Sequence, residues 1–288
     1  MIFGIHSLLF NETFVEKDLP LLERCKKMGF DAVEIIPFDL DNFPAKKVKQ
    51  AASDLDLIIN MGYGMPVECN VISPDAGTRQ KGHDLSRRLI DAANEAGAVV
   101  FGGAIYCGWG YISGKRRTED EWHWGIEACR KAAEYAQDTS DLIIGIEPLN
   151  RFESHFINVA SDAVKFIQEI EMLNVKVHLD TFHMIREENN FRQAVHTTGE
   201  YLGYVHACEN QRGIPGTGMV PWEEFFQALH DVGYDYCITI ESFDPNMEDI
   251  AKLTSIWRQL AESPEHLATE GLRFLKNMYR EVFGIEAV

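Results

Sequence analysis

Short apolar, β-branched runs alternate with amphipathic stretches along the whole chain. The runs begin near Ile2, Ala32, Leu57, Ala98, Leu142, Val175, Tyr204 and Cys237. Between them apolar positions recur at helical spacing: Val15 to Met28, Ala45 to Asp54, Asp75 to Ala96, Glu119 to Gln137, Ala160 to Glu171, Phe191 to Thr198 and Trp222 to Val232. A last such stretch runs from about Pro264 to Phe283. Gly29, Gly97 and Gly233 each stand just past a helical pattern, where a left-handed cap belongs.

Eight strands alternating with helices predict an α/β protein of the (β/α)8 TIM-barrel type. A length of 288 residues suits one such barrel, and no stretch is rich enough in Pro, Gly and Ser to be a linker. Residues 1–288 therefore read as a single domain, with a helical tail at about 264–283. A doubly wound open sheet is the alternative, but it gives no reason for what the later strands carry at their ends.

Four successive runs in the second half stop on a residue able to bind a metal. Leu142-Ile-Ile-Gly-Ile ends at Glu147, Val175-Lys-Val-His-Leu at Asp180, Tyr201-Leu-Gly-Tyr-Val at His206, and Cys237-Ile-Thr-Ile at Glu241. Strands of a parallel barrel finish at one mouth, so these four side chains converge. Three carboxylates and one imidazole form a hard, oxygen-rich set suited to a divalent cation. Alternation puts His178 and Lys176 on the face of Asp180, Tyr204 beneath His206, and Thr239 beneath Glu241. His178 is a candidate ligand too, but is expected rather as a hydrogen-bonded histidine one layer below the ligands. Taken singly, each of the four has a commonplace explanation: a solvated loop carboxylate, a helix N-cap, a core histidine. Their coincidence in register is what points to a metal site.

Charge narrows the partners. A formal net charge of -18 disfavours nucleic acid and anionic membrane surfaces, which need clustered Lys and Arg, and suits a neutral small molecule. Six scattered cysteines without a C-x-x-C pair read as buried free thiols. With neither a signal-like start nor a bilayer-spanning apolar run, the expectation is a soluble cytoplasmic protein.

Polar clusters surround the four ligand candidates. Glu147 opens Glu-Pro-Leu-Asn-Arg-Phe-Glu, ending at Glu153; Asp180 opens Asp-Thr-Phe-His-Met, which contains His183. His206 opens His-Ala-Cys-Glu-Asn-Gln-Arg, ending at Arg212, and Pro215-Gly-Thr-Gly218 then turns the loop. These strings, with Glu187-Glu-Asn, resemble the ketose 3-epimerases (D-tagatose, D-allulose and L-ribulose 3-epimerases) of the xylose-isomerase-like barrels. The resemblance covers most of the chain, into Trp257-Arg-Gln-Leu-Ala-Glu and the tail, and is densest between Glu147 and Glu241.

By that resemblance Glu147, Asp180, His206 and Glu241 are the metal ligands, and Glu147 and Glu241 the acid/base pair. Glu153, His183 and Arg212 would hold the carbonyl end of a sugar, and Trp109, in Tyr106-Cys-Gly-Trp, an aromatic wall. The chemistry fits these residue types: a Lewis acid on the ketose oxygens stabilises an enediolate, while opposed carboxylates take and return the C3 proton. Substrate-lining expectations are His6, Gly62, Ala104 and Phe14, the last as a lid contact. His6 stands where many members of that family carry an aromatic residue; a strand-end histidine facing water is its other reading. An O3N donor set with open positions suits Mn2+, Co2+ or Mg2+, and family habit favours Mn2+ or Co2+. Family members are usually homodimers or homotetramers. The aromatic tail residues Trp257, Phe274, Tyr279 and Phe283 could join such an interface or cap the barrel.

Other readings of the same site are an isomerase of 3-oxo-glycosides or inososes, and an inosose dehydratase, in which one carboxylate helps expel a β-hydroxyl. A metal-dependent nuclease would need more histidine ligands and a basic face. A sugar-binding protein would have no use for two opposed carboxylates on one metal.

Overall fold

Every second side chain of each strand points inward, and the eight strands pair in chain order into a closed parallel barrel. They are β1 (Ile2–His6), β2 (Ala32–Ile35), β3 (Ile58–Gly62), β4 (Ala98–Gly102), β5 (Ile143–Ile146), β6 (Val175–Asp180), β7 (Leu202–His206) and β8 (Cys237–Ile240). Closure comes from β1 against β8, in register from Ile2↔Cys237 to Ile5↔Ile240. The computed structural model describes residues 1–284.

The helices are α1 (Pro20–Met28), α2 (Ala45–Leu55), α3 (Ala76–Ala96), α4 (Glu119–Thr139), α5 (Ala160–Ile170), α6 (Thr181–Glu187), α7 (Phe191–Thr198), α8 (Trp222–Asp231), α9 (Glu248–Thr254) and α10 (Pro264–Phe283). Local chemistry sets their ends. In the capping box of α4, Thr118 Oγ1 accepts from Glu121 N at 3.2 Å and Thr118 N donates to Glu121 Oε2 at 2.7 Å. Pro20 and Pro264 begin α1 and α10, where the missing N–H costs nothing. The stretch from Val15 therefore breaks into a 3-10 turn, Glu16–Asp18, before α1. Two short helices, α6 and α9, were not anticipated by the periodicity.

Apolar burial is divided among three clusters. The largest packs the outer strand faces against the helices. A second plugs the barrel interior with Ala32, Val100, Tyr204 and Cys237. The third, Leu8, Ile36, Phe243, Ile250 and Ile256, joins the segments after β1, β2 and β8 to α9. Most of the aromatic tail packs as core: Tyr279 meets Phe3 edge-on at 6.0 Å, Phe274 meets Trp222 at 5.7 Å, and Phe283 lies 4.7 Å from Tyr279. Trp257, by contrast, is 72% exposed. The N-terminal ammonium donates to Tyr279 Oη at 3.3 Å and pairs with Asp235 at 2.6 Å, tying the chain's start to α10. All six cysteines are free, and among the described residues no helix is long and apolar enough to cross a membrane.

At the mouth, β3 and β4 approach closely. Gly103 has φ +106°, and a Cβ there would lie 2.6 Å from the Tyr63 carbonyl oxygen. Both the backbone sign and the contact exclude a side chain. Gly103→Ala is expected to lower the thermal unfolding midpoint by roughly 4–12 °C, corresponding to about 2–3 kcal/mol. Differential scanning calorimetry of the two proteins would measure it.

Candidate active site

The strand ends deliver their side chains to a solvent-open pocket at the barrel mouth, about 660 Å³ with its open mouth included. His206, on β7, is central. Its Nδ1 lies 3.8 Å from Glu147 Oε1 and 3.7 Å from Glu241 Oε2, and has no hydrogen-bond partner although it is buried. Its Nε2 is held by Glu34 Oε2 at 2.6 Å. That contact fixes the ring and leaves Nδ1 facing the two carboxylates.

Asp180 has two jobs. Its Oδ1 caps α6, accepting from Phe182 N at 2.8 Å, while Oδ2 faces the cavity, 3.0 Å from Arg212 Nη1 and 3.6 Å from His183 Nε2. Arg212 Nη1 also contacts Glu241 Oε2 and lies 3.1 Å from Cys208 Sγ. The backbone of Arg212 is left-handed, with φ +64°, in a loop gathered by the buried Glu209 carboxylate. That carboxylate accepts from Trp222 Nε1 at 2.6 Å and Gly216 N at 2.8 Å.

Glu153 is pinned at both oxygens, by Trp109 Nε1 at 2.8 Å and Asn150 Nδ2 at 2.7 Å. Asn150 N donates to His183 Nδ1 at 3.0 Å, so a neutral His183 carries its proton on Nε2, aimed at the carboxylates. His6 is arranged alike: Leu8 N donates to Nδ1 at 3.2 Å, and Nε2 lies 3.8 Å from Glu241 Oε1.

Of the residues singled out from the sequence, Glu147, His206, Glu241, Glu153, His183, Arg212, Trp109, His6, Gly62 and Ala104 line this cavity, and Asp180 lies against it through Arg212 and His183. Three expectations need correction. Phe14 is not on the cavity: it is fully buried, its ring 6.4 Å from Phe43, because an aromatic side chain gains more by packing beneath α2 than by facing water. His178 is not hydrogen-bonded. It lies edge-on beneath His206 at 4.1 Å, in space left by Gly102 and Gly145, and neither ring nitrogen has a partner. His6 is 2% exposed, so the reading of it as a water-facing histidine fails.

Sequence reasoning missed Glu34. It sits mid-strand in β2 and accepts from Tyr204 Oη at 2.8 Å as well as from His206. The available signal was a lone charge inside Ala32-Val-Glu-Ile, a run otherwise fit for full burial. Asn150 was also missed, as was the apolar wall of Leu8, Ile36, Phe38 and Phe243.

Burial and neighbours drive the two central glutamates apart. Burial, with Glu241 and Asp180 nearby, raises Glu147 well above the usual carboxylate range despite His206 and Arg212. Burial would also raise Glu241, but Arg212, then His206, His6 and His183, outweigh it and hold that carboxyl low. Burial alone would lower His206; Glu34 and Glu241 overcome it and push the imidazole up to about 10. His183 is lowered by burial, partly opposed by Asp180 and Glu153.

The donor set fits a divalent cation. Glu147, His178 and His206, then Glu147, Asp180 and His183, then Asp180, Cys208 and Glu241 each bring ligand atoms within 4.8 Å of one another. The unpartnered Nδ1 of His206 faces the carboxylates, as a ligand should.

The description "Xylose isomerase-like TIM barrel" matches residues 22–278. The chain belongs to that family. A D-psicose 3-epimerase of Agrobacterium fabrum is 31% identical over 263 residues, 90% of either chain. An L-ribulose 3-epimerase of Methylomonas sp. is 32% identical over 255 residues, 88% of each. The crystal structure of a Methylomonas D-allulose 3-epimerase in complex with D-allulose superposes with TM-score 0.92 at 29% identity, covering 97% of both chains. Within the family, the chain groups with these sugar epimerases.

Two outcomes follow from the Glu34–His206 pair. Glu34→Gln should weaken divalent-cation binding roughly 10–100-fold in isothermal titration calorimetry while leaving the far-ultraviolet circular dichroism unchanged. The raised His206 holds a proton that a cation must displace. Binding should therefore tighten as pH rises from about 6 to 9, by up to about tenfold per unit, with proton release detectable across buffers of different ionisation enthalpy.

Proposed function

We propose that this enzyme epimerises 2-ketoses at carbon 3, using a divalent cation, with Mn2+ the favoured ion. One observation carries the reading: Glu147 and Glu241 both approach His206 Nδ1, at 3.8 and 3.7 Å, with opposite proton affinities. A C3 epimerase needs that arrangement, one carboxylate to remove a proton from one face and one carboxylic acid to return it on the other. The relatives' action on psicose, ribulose and allulose supports the same chemistry.

Glu147, Asp180, His206 and Glu241 would hold the cation, which when bound would supply Lewis acidity toward the ketose carbonyl. The ionised Glu241 is the group ready to accept the C3 proton, and Glu147 the group ready to donate, with the roles exchanged for the opposite epimer. His183 Nε2–H and the Arg212 guanidinium, both turned toward the carboxylates, would hydrogen-bond the oxygen at C2 as charge develops there. Glu153, held rigidly by Trp109 and Asn150, would accept from the hydroxyl at C1 and fix the sugar's direction.

Glu147→Gln and Glu241→Gln should each lower turnover by roughly 10²–10⁴-fold with the fold intact. Proton NMR of D-fructose, D-tagatose and L-ribulose with Mn2+ in D2O provides the direct assay. Deuterium entering at C3 with appearance of the C3 epimer is the expected result. Absence of exchange on every ketose by metal-loaded protein would overturn the reading in favour of oxidised glycosides or inososes.

A further inference from the structure

We propose that His6 and Glu34 form a subsite for the hydroxyl on carbon 4 of the ketose, an inference that rests on the epimerase reading above. The two are register partners on β1 and β2, 2% and 1% exposed, and both line the cavity. Each has one polar atom committed to the protein and one left over. Leu8 N–H occupies His6 Nδ1, so the neutral ring presents Nε2–H as a donor. Glu34 Oε2 takes both Tyr204 Oη and His206 Nε2, while Oε1 accepts no hydrogen bond and abuts Gly62, where a Cβ would collide with it. Gly62 thus keeps that oxygen clear of any side chain.

A fixed donor beside a free acceptor is satisfied by one group that both accepts and donates. A hydroxyl does so; an ether, a methylene or a carbonyl does not. Position selects which hydroxyl. Glu153 and His183, which hold the carbonyl end, come from the β5 and β6 side, whereas His6 and Glu34 lie across the mouth. His6 Nε2 is 3.8 Å from Glu241 Oε1, the carboxylate oxygen left free by Arg212, so with Glu241 acting at carbon 3 the pair would meet the substituent of the next carbon. Beyond them the wall turns apolar with Leu8, Ile36, Phe38 and Phe243. The substrate class is therefore a 2-ketose with a free secondary hydroxyl at C4.

The test compares C3 deuterium exchange in full-length, Mn2+-loaded enzyme on the fastest ketose, its 4-deoxy analogue and its 6-deoxy analogue. The 4-deoxy compound should lose roughly 10–100-fold in kcat/KM, because it leaves buried polar groups unpaired, and the 6-deoxy compound no more than a few-fold. His6→Phe should lower kcat/KM for the parent sugar by a comparable factor yet cause no further loss on the 4-deoxy analogue, a substrate-dependent split that a purely structural role would not produce. Equal rates on parent and 4-deoxy sugar, or equal losses on both in His6→Phe, would overturn the subsite and leave the epimerase standing. No exchange on any ketose would overturn both. Should His6→Phe fail to fold, the analogue comparison on the unaltered enzyme still decides.

Discussion

Four carboxylates, those of Glu34, Glu147, Asp180 and Glu241, crowd one barrel mouth, and among the described residues Arg212 is the only guanidinium in contact with them. Like charges at this density cannot all remain ionised away from water unless something answers them. The surrounding structure is arranged around that requirement. Arg212 answers Asp180 and Glu241, a raised His206 answers Glu34, and Glu147 answers by favouring its neutral form. The split between Glu147 and Glu241 is thus the outcome of crowding with unequal access to positive charge. A divalent cation would relieve the same repulsion, which is why the arrangement most favourable for chemistry is also the one that calls for a metal.

The barrel itself was plain in the chain because eight apolar runs and their helices carry period-2 and period-3.6 patterns that nothing else in the sequence imitates. Strand starts moved by a residue or two, as at Ile58, Ile143 and Leu202, since hydrogen-bond pairing and not hydropathy decides where a strand begins. Helices α6 and α9 escaped notice because seven residues are too few to display a periodicity. For α6 there was a second reason: its N-cap is Asp180, whose expected ligand role accounted for the residue without a helix.

The second half of the site was legible and the first half mostly was not. Glu147, Asp180, His206 and Glu241 stand at strand ends, where a charge interrupts an apolar run. Glu34 lies inside its strand, and its meaning depends on His206, 172 residues away, which no local pattern can reveal. Phe14 failed for the opposite reason. An aromatic residue near a pocket loop looks like a lid, but whether it faces the cavity or the core is settled by packing against Phe43, a tertiary matter. Glycines were similarly mute. Gly62, Gly102 and Gly145 read as strand residues of weak propensity, whereas each clears space for a buried Glu34 or His178 side chain.

The tie between the first strand and the last helix bears on how the molecule is made. β1 finds one of its two strand neighbours in β8, and Phe3 and the N-terminal ammonium rest on Tyr279. As the polypeptide leaves the ribosome, β1 must wait until β8 has been made, with one edge of the growing sheet open. Ring closure therefore comes last among the strand pairings. Until then the unpaired edges of β1 and β8 are the ones open to mispairing.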